Sequence, residues 1–199
     1  MSKAVPRFDK LSPKLCESFP LEGQFMSINT VGIKIGHAAY EAYQTGCTIF
    51  LCPENSVASV AVRGPAPGSR EMALLLPEKP IQHINGIMLT GGSAFGLASA
   101  DGAVQYLRER DIGHFTPIKR VPLVAASVVY DLFASNGEKM PDAALGYAAC
   151  ENAVENNPLQ GNVGAGMGVS VGKWAGFRYP MKGGFGLATL QQGELVVTA

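Results

Sequence analysis

The chain has 199 residues, 47% of them apolar and only 16% charged, which is enough apolar material for one sizeable core, while its 24 glycines and 13 prolines signal many turns rather than disorder. Lysine plus arginine equals aspartate plus glutamate at 16 each, so no basic field exists to hold a phosphate backbone, and no apolar run approaches the roughly 20 residues that cross a bilayer; nucleic acid and membrane are poor partners. The four cysteines (Cys16, Cys47, Cys52 and Cys150) form no C-x-x-C pair and the opening MSKAVPRFDK has no secretory pattern, so a reduced, cytoplasmic protein is expected.

Residues 1–27, with scattered prolines and charges, read as an N-terminal arm, and 28–199 as one domain. From Val31 the text turns to strand: GIKIGHAAYE, TGCTIFLC (45–52), a turn at Pro53-Glu54-Asn55, and SVASVAVRG (56–64), whose β-branched residues predict the second arm of a hairpin. GPAPGSRE (64–71) is a loop, because each proline removes a donor and disfavours helix before it. INGIMLTGG (84–92) reads as a short buried strand. It runs into a helix over 93–111, with Ser93 as its cap and Leu97, Ala100, Val104 and Leu107 as its buried stripe. VPLVAASVVYDLF (121–133) reads as strand, and a second helix starts at Pro141 and stops before Asn156-Asn157-Pro158. The rest, 161–199, reads as strand, turn, strand. This clustered order predicts mixed layers with a largely antiparallel sheet.

The stretch GNVGAGMGVSVGKWAG (161–176) tests as a phosphate loop and fails. Trp174 follows Gly172-Lys173 where a Walker loop needs Ser or Thr, Met167 stands where its first glycine belongs, and Val171 replaces the third glycine of a dinucleotide motif. A period of two fits better: Gly164, Gly166, Gly168, Ser170 and Gly172 fall on one face of an extended segment, leaving bare backbone for close approach by chain or substrate. Lys173 at its end reads either as a surface lysine reaching water or as a partly desolvated amine beside a reacting centre.

Other reactive residues carry weaker signals. His37 reads as a hydrogen-bonded packing residue; His83 and His114 lack the spacing of a zinc site, so no metal is expected. Ser93 in GGSAFG imitates a nucleophile elbow but has Phe95 where glycine is required. Arg70 and Glu71 read as an ion pair anchoring their loop, and Tyr130 as a core tyrosine with a partnered hydroxyl.

Taken together and in order, GIKIGHAAYEAYQTGCTIFLC, VRGPAPGSRE, LTGGSAFGLASADGAV, VPLVAASVVYDL, PDAALGYAA and VGAGMGVSVGK resemble the DmpA-type aminopeptidases and the related nylon-oligomer hydrolase. The resemblance runs from about Val31 to Ala199 and implies an αββα sandwich shared with the ornithine acetyltransferase fold, here incomplete at its C-terminal end. It also implies an N-terminal-nucleophile mechanism, in which a precursor cuts itself to free a serine or threonine whose own amine is the base. Neither metal nor organic cofactor is implied. The implied partners are a peptide or amide small-molecule substrate, a β subunit carrying the Ser/Thr nucleophile, and further copies in a homo-oligomer. Residue by residue, the resemblance makes Tyr130 an oxyanion-holding wall residue and places Lys173 close to the nucleophile, with Gly166, Gly168 and Ser93 in the substrate-binding wall.

Two departures accompany it. The nucleophile and its asparagine and acidic partners belong after residue 199, and Val128 stands where aminopeptidases place an ammonium-gripping glutamate two residues before the tyrosine. The expectation is therefore an α-subunit-like portion of an amide hydrolase, inactive alone, with an amine-independent amidase somewhat favoured. A non-catalytic truncated subunit and an acetyltransferase of the ornithine type are the alternatives.

Overall fold

The computed structural model describes residues 28–81, 83–176 and 180–199. The arm read over 1–27 lies outside the described residues. Strands β1 (Lys34–Tyr40) and β2 (Thr45–Leu51) form an antiparallel hairpin from Lys34↔Leu51 to Tyr40↔Thr45. Gln44, at φ 47°, closes the 3-10 turn between them.

The hairpin partner expected at 56–64 is not a strand. Both edges of β2 are taken, by β1 and by β4 (Gly86–Thr90), so this segment touches sheet structure only through a bridge from Val57 to His83. Its apolar residues serve differently: Ala58 and Val60 pack on a small satellite core of Leu75, Ile84 and Ala125. Before β4, Ser69–Arg70 forms a two-residue strand, β3, inside the predicted loop.

The expected helix over 93–111 begins as a 3-10 segment, Ser93–Ala98, and becomes α-helical only at α1 (Ser99–Glu109). Strand β5 (Val124–Val128) runs parallel to β4, and its far edge carries β3. The short helix α2 (Leu132–Ser135) leads to α3 (Ala143–Glu151). Asp142, not Pro141, starts α3: its carboxylate accepts from Leu145 N at 3.0 Å, satisfying a free amide of the first turn. With β6 (Val154–Glu155) on β1, the six-stranded mixed sheet has the order β3-β5-β4-β2-β1-β6, antiparallel except for β4–β5.

Strand alternation divides the two faces of this sheet. On one, Cys47, Ile49, Met88, Val124 and Ala126 join Ala100, Ala103 and Leu107 of α1 and Leu145, Ala149 and Cys150 of α3 in the main core. The two helices touch through backbone: a Cβ added at Gly146 would lie 1.8 Å from Ser99 O, and one at Gly102 would lie 1.9 Å from Ala143 O. Glycine is obligatory at both positions. On the opposite face, His37, Thr48 and Leu89 lie under the 161–169 loop and Phe185. Two small antiparallel pairs follow, β7 (Ser170–Val171) with β8 (Met181–Lys182) and β9 (Thr189–Gln192) with β10 (Leu195–Thr198).

Candidate active site

The ends of β4 and β5 carry a buried polar arrangement centred on Asp131. β4 ends in Gly91-Gly92-Ser93, where Gly92 and Ser93 take consecutive left-handed conformations (φ 77° and 53°). This turn throws the chain from sheet to helix and corrects the reading of Ser93 as a cap: the N-cap position falls on Gly92, and Ser93 is the first residue of the 3-10 segment. Serine at positive φ carries backbone strain that the surrounding contacts must hold. One such contact is Ser93 N donating to Val129 O at 3.1 Å, and Val129 N in turn donates to Thr90 O at 2.8 Å.

Asp131, two residues further on, fastens the assembly. It is only 2% exposed, and its carboxylate accepts from Gly92 N at 2.6 Å and from the Thr45 hydroxyl at 2.7 Å. Two glycines make room for it. A Cβ at Gly91 would fall 2.1 Å from Asp131 Oδ2 and one at Gly168 would fall 2.6 Å from the same oxygen, while Gly92, which supplies the amide, is packed against Met140 and Pro141. Sequence reasoning singled out the neighbouring tyrosine and passed over Asp131; its signal is the pairing of one acidic residue in an apolar strand with the glycines of LTGG and GMG.

Tyr130 is thereby presented outward. It is 52% exposed, with its ring edge-on to Phe133 at 5.4 Å, so it is not the core tyrosine its apolar surroundings predict. Gly168 thus lies against the Asp131 side chain, and Ser93 and Tyr130 are chain neighbours of Gly92 and Asp131, which that carboxylate joins.

The glycine stretch is not the continuous strand that its period predicts. Gly164–Gly166 makes one 3-10 turn and Lys173–Ala175 another, and only Ser170–Val171 is extended. Glycine here follows from close packing in three directions. A Cβ on Gly164 would strike Thr48 Oγ1 at 2.3 Å, one on Gly166 would strike Phe185 N at 2.2 Å, and one on Gly168 would strike Gln44 O at 2.3 Å. Ala165 N donates to Thr48 Oγ1 at 3.0 Å, the Lys182 ammonium donates to Met167 O, and the loop is pinned on both sides of Gly166.

Lys173 is half-buried in its turn, and no hydrogen bond or ion pair among the described residues joins it to Tyr130 or Asp131. His37 lies beneath the loop as a packing residue, its Nδ1 2.9 Å from Thr48 Oγ1 and its ring edge-to-face with Phe185 at 4.9 Å. Burial holds its pKa below the ordinary imidazole value. Burial likewise raises the thiols, Cys52 to about 11 and Cys150 to about 12, with Cys47 higher still, so none is a nucleophile at neutral pH. Arg70 pairs with Asp101 at 2.6 Å rather than with Glu71. Among the described residues no three His, Cys, Asp or Glu side chains gather as a metal centre, and no helix is long and apolar enough to cross a membrane.

Residues 28–194 match Peptidase family S58. The chain belongs to this family. An uncharacterized aminopeptidase of Mycobacterium leprae is 34% identical over 182 residues, covering 83% of this chain and 48% of the relative. A 6-aminohexanoate-oligomer endohydrolase of Paenarthrobacter ureafaciens is 38% identical over 142 residues, covering 71% of this chain and 38% of the relative. The fold also matches a Burkholderia sp. beta-aminopeptidase with a TM-score of 0.53 at 21% identity, over 74% of this chain and 44% of that one. This S58 chain spans about half the length of the curated aminopeptidases it matches. Its mixed α/β architecture with a mixed sheet is thus a fold it shares with that beta-aminopeptidase.

Proposed function

We propose that this chain is the α-subunit-like portion of an S58 amide hydrolase, and that the Ser/Thr nucleophile comes from a β segment freed by autoprocessing. The observation that supports the proposal is buried Asp131, which holds Gly92 beside Ser93, has Gly168 packed against it and directly follows exposed Tyr130, in a chain whose relatives are named for amide cleavage. A half-exposed phenol on a rigid stage suits one task, donating a hydrogen bond to an oxyanion as it forms on an attacked amide carbonyl. Asp131 does not exchange protons in this scheme. It holds the Gly92 amide and Thr45 hydroxyl, and through them the tyrosine's backbone.

In the completed αββα sandwich a second sheet covers the face on which the glycine loop lies. Ser93 and Gly168 then line the substrate wall with Gly166 behind them, and Lys173 turns its amine toward the nucleophile. Exposed Leu190, Leu195 and Val197 on β9–β10 support association with the β segment and with further copies.

Val128 favours a linear amide over a peptide with a free amino terminus. Its side chain packs over Gly68, where an added Cβ would lie 2.3 Å from Val128 Cγ2, and it offers no charge to a substrate ammonium. The test is hydrolysis of p-nitroanilides and of 6-aminohexanoate oligomers by the 199-residue chain alone and by the chain joined to a family β segment. Turnover only in the joined form is expected; turnover by the isolated chain contradicts the assignment of the nucleophile.

A further inference from the structure

At the opposite end of β4 and β5 from the candidate active site, two histidines from distant parts of the chain meet. His83 Nε2 lies 3.1 Å from His114 Nδ1, with ring centroids 5.1 Å apart and planes inclined by 34°. Each ring is carried on paired backbone. His83 stands in an antiparallel bridge with Val57, and His114 exchanges two hydrogen bonds with Val121, at 2.8 and 2.9 Å. The length of β4, about 17 Å at roughly 3.3 Å per residue, separates this pair from the Asp131 assembly.

We propose that His83 and His114 form a two-imidazole site for a transition-metal dication of the copper, nickel or zinc class. With metal–nitrogen bonds of about 2.0–2.1 Å, two nitrogens 3.1 Å apart subtend roughly 95–100° at the metal. That angle is close to the cis angle of a tetragonal or octahedral centre, so the N···N spacing suits Cu²⁺ and Ni²⁺ as it stands and the rings need only turn their lone pairs toward a common point, whereas tetrahedral Zn²⁺ also requires them to part by a few tenths of an ångström. The 3.1 Å spacing is that of a hydrogen bond whose proton either ring can supply, according to its tautomer. Binding moves that proton to the donor ring's other nitrogen and leaves both lone pairs on the metal, with no change of oxidation state.

The surroundings admit a hydrated cation. A cleft of about 360 Å³ opens beside the pair, lined also by Glu54, Asn55, Asn85 and Arg120. Glu54 brings negative charge. Arg120 lines the same cleft, held at its edge by donating to Gly113 O at 3.2 Å, and Asp111 at 3.8 Å offsets part of its charge. Since no third protein ligand of the His, Cys, Asp or Glu type completes the group among the described residues, waters fill the remaining positions. The bound metal would tie the 83 segment to the 114–121 loop, away from the hydrolytic chemistry.

The chain contains three histidines, which makes the test direct. Tag-free chain is titrated with Cu²⁺ while the three imidazole Hε1 resonances are followed, and Ni²⁺ affinity is measured by calorimetry for wild type, His83→Gln and His114→Gln. Two of the three signals are expected to vanish together below one equivalent of Cu²⁺ while that of buried His37 persists, and either substitution is expected to weaken Ni²⁺ at least tenfold. Uniform loss of all three signals, loss of none, or unchanged Ni²⁺ affinity in both variants overturns the proposal. The wild-type spectrum decides by itself where a variant does not fold.

Discussion

Replacing Asp131 by alanine should destabilise this structure about as much as truncating one of its fully buried core side chains, such as Ile49 or Met88. The substitution leaves the Thr45 hydroxyl and the Gly92 N–H without their acceptor in the interior, at about 1–3 kcal/mol for each stranded donor. Relief of the carboxylate's own desolvation offsets part of that cost. The net loss is about 2–4 kcal/mol, a large share of the roughly 5–15 kcal/mol that holds a domain folded, and near 3 kcal/mol it lowers the thermal midpoint by roughly 6–12 °C. Urea unfolding of wild type, Asp131→Ala, Thr45→Val and the double variant measures both the loss and the pairwise term. Because the two side chains are bonded at 2.7 Å, their coupling should be about 1–2 kcal/mol. An Asp131→Ala variant within about 0.5 kcal/mol of wild type, or strictly additive effects, would refute the role given to this carboxylate.

Three further outcomes are expected. His37 has a folded pKa lowered by burial below its ordinary value of 6.5, so the unfolded chain takes up the proton first; stability is full above about pH 6.5 and falls as pH drops from there toward the folded pKa. Unfolding free energy measured against pH should show this decline in wild type and lose that component in His37→Gln. Gly146→Ala should destabilise by about 1–3 kcal/mol in chemical denaturation despite alanine's better helix propensity, because its methyl would meet Ser99 O at 1.8 Å; a stabilised variant would mean that α1 and α3 stand further apart. In the enzyme joined to its β segment, Lys173→Met should lower kcat by roughly 100-fold at an unchanged melting temperature, whereas full turnover would return Lys173 to the role of a surface lysine.

Much of this architecture is legible where period and punctuation agree. The strands at 34–40, 45–51, 86–90 and 124–128 and the helix through Leu107 follow from runs of apolar residues bounded by glycine, proline or aspartate. Reasoning from local pattern fails where tertiary contacts choose the outcome. The valines of 56–64 have strand chemistry but no free sheet edge, and the alternating glycines of 164–172 fit a strand equally well as they fit tight turns crowded by Thr48, Phe185 and Gln44. Ser93 resembles a cap because a serine precedes a helix, yet the left-handed Gly92-Ser93 turn is set by the pull of Asp131 and Val129. Tyr130 is a candidate through resemblance, while Asp131 required the fold, since nothing local says that it meets Thr45, 86 residues away.

The central claim is that Tyr130 stabilises charge on an amide carbonyl, and the kinetics of Tyr130→Phe in the enzyme joined to its β segment test it most directly. The substitution removes one hydroxyl from a half-exposed ring and leaves the edge contact with Phe133 in place, so the melting temperature should not move. Loss of one oxyanion donor predicts a fall in kcat of about 100- to 1,000-fold with little change in KM. Wild-type kcat in Tyr130→Phe, at unchanged stability, would contradict the account.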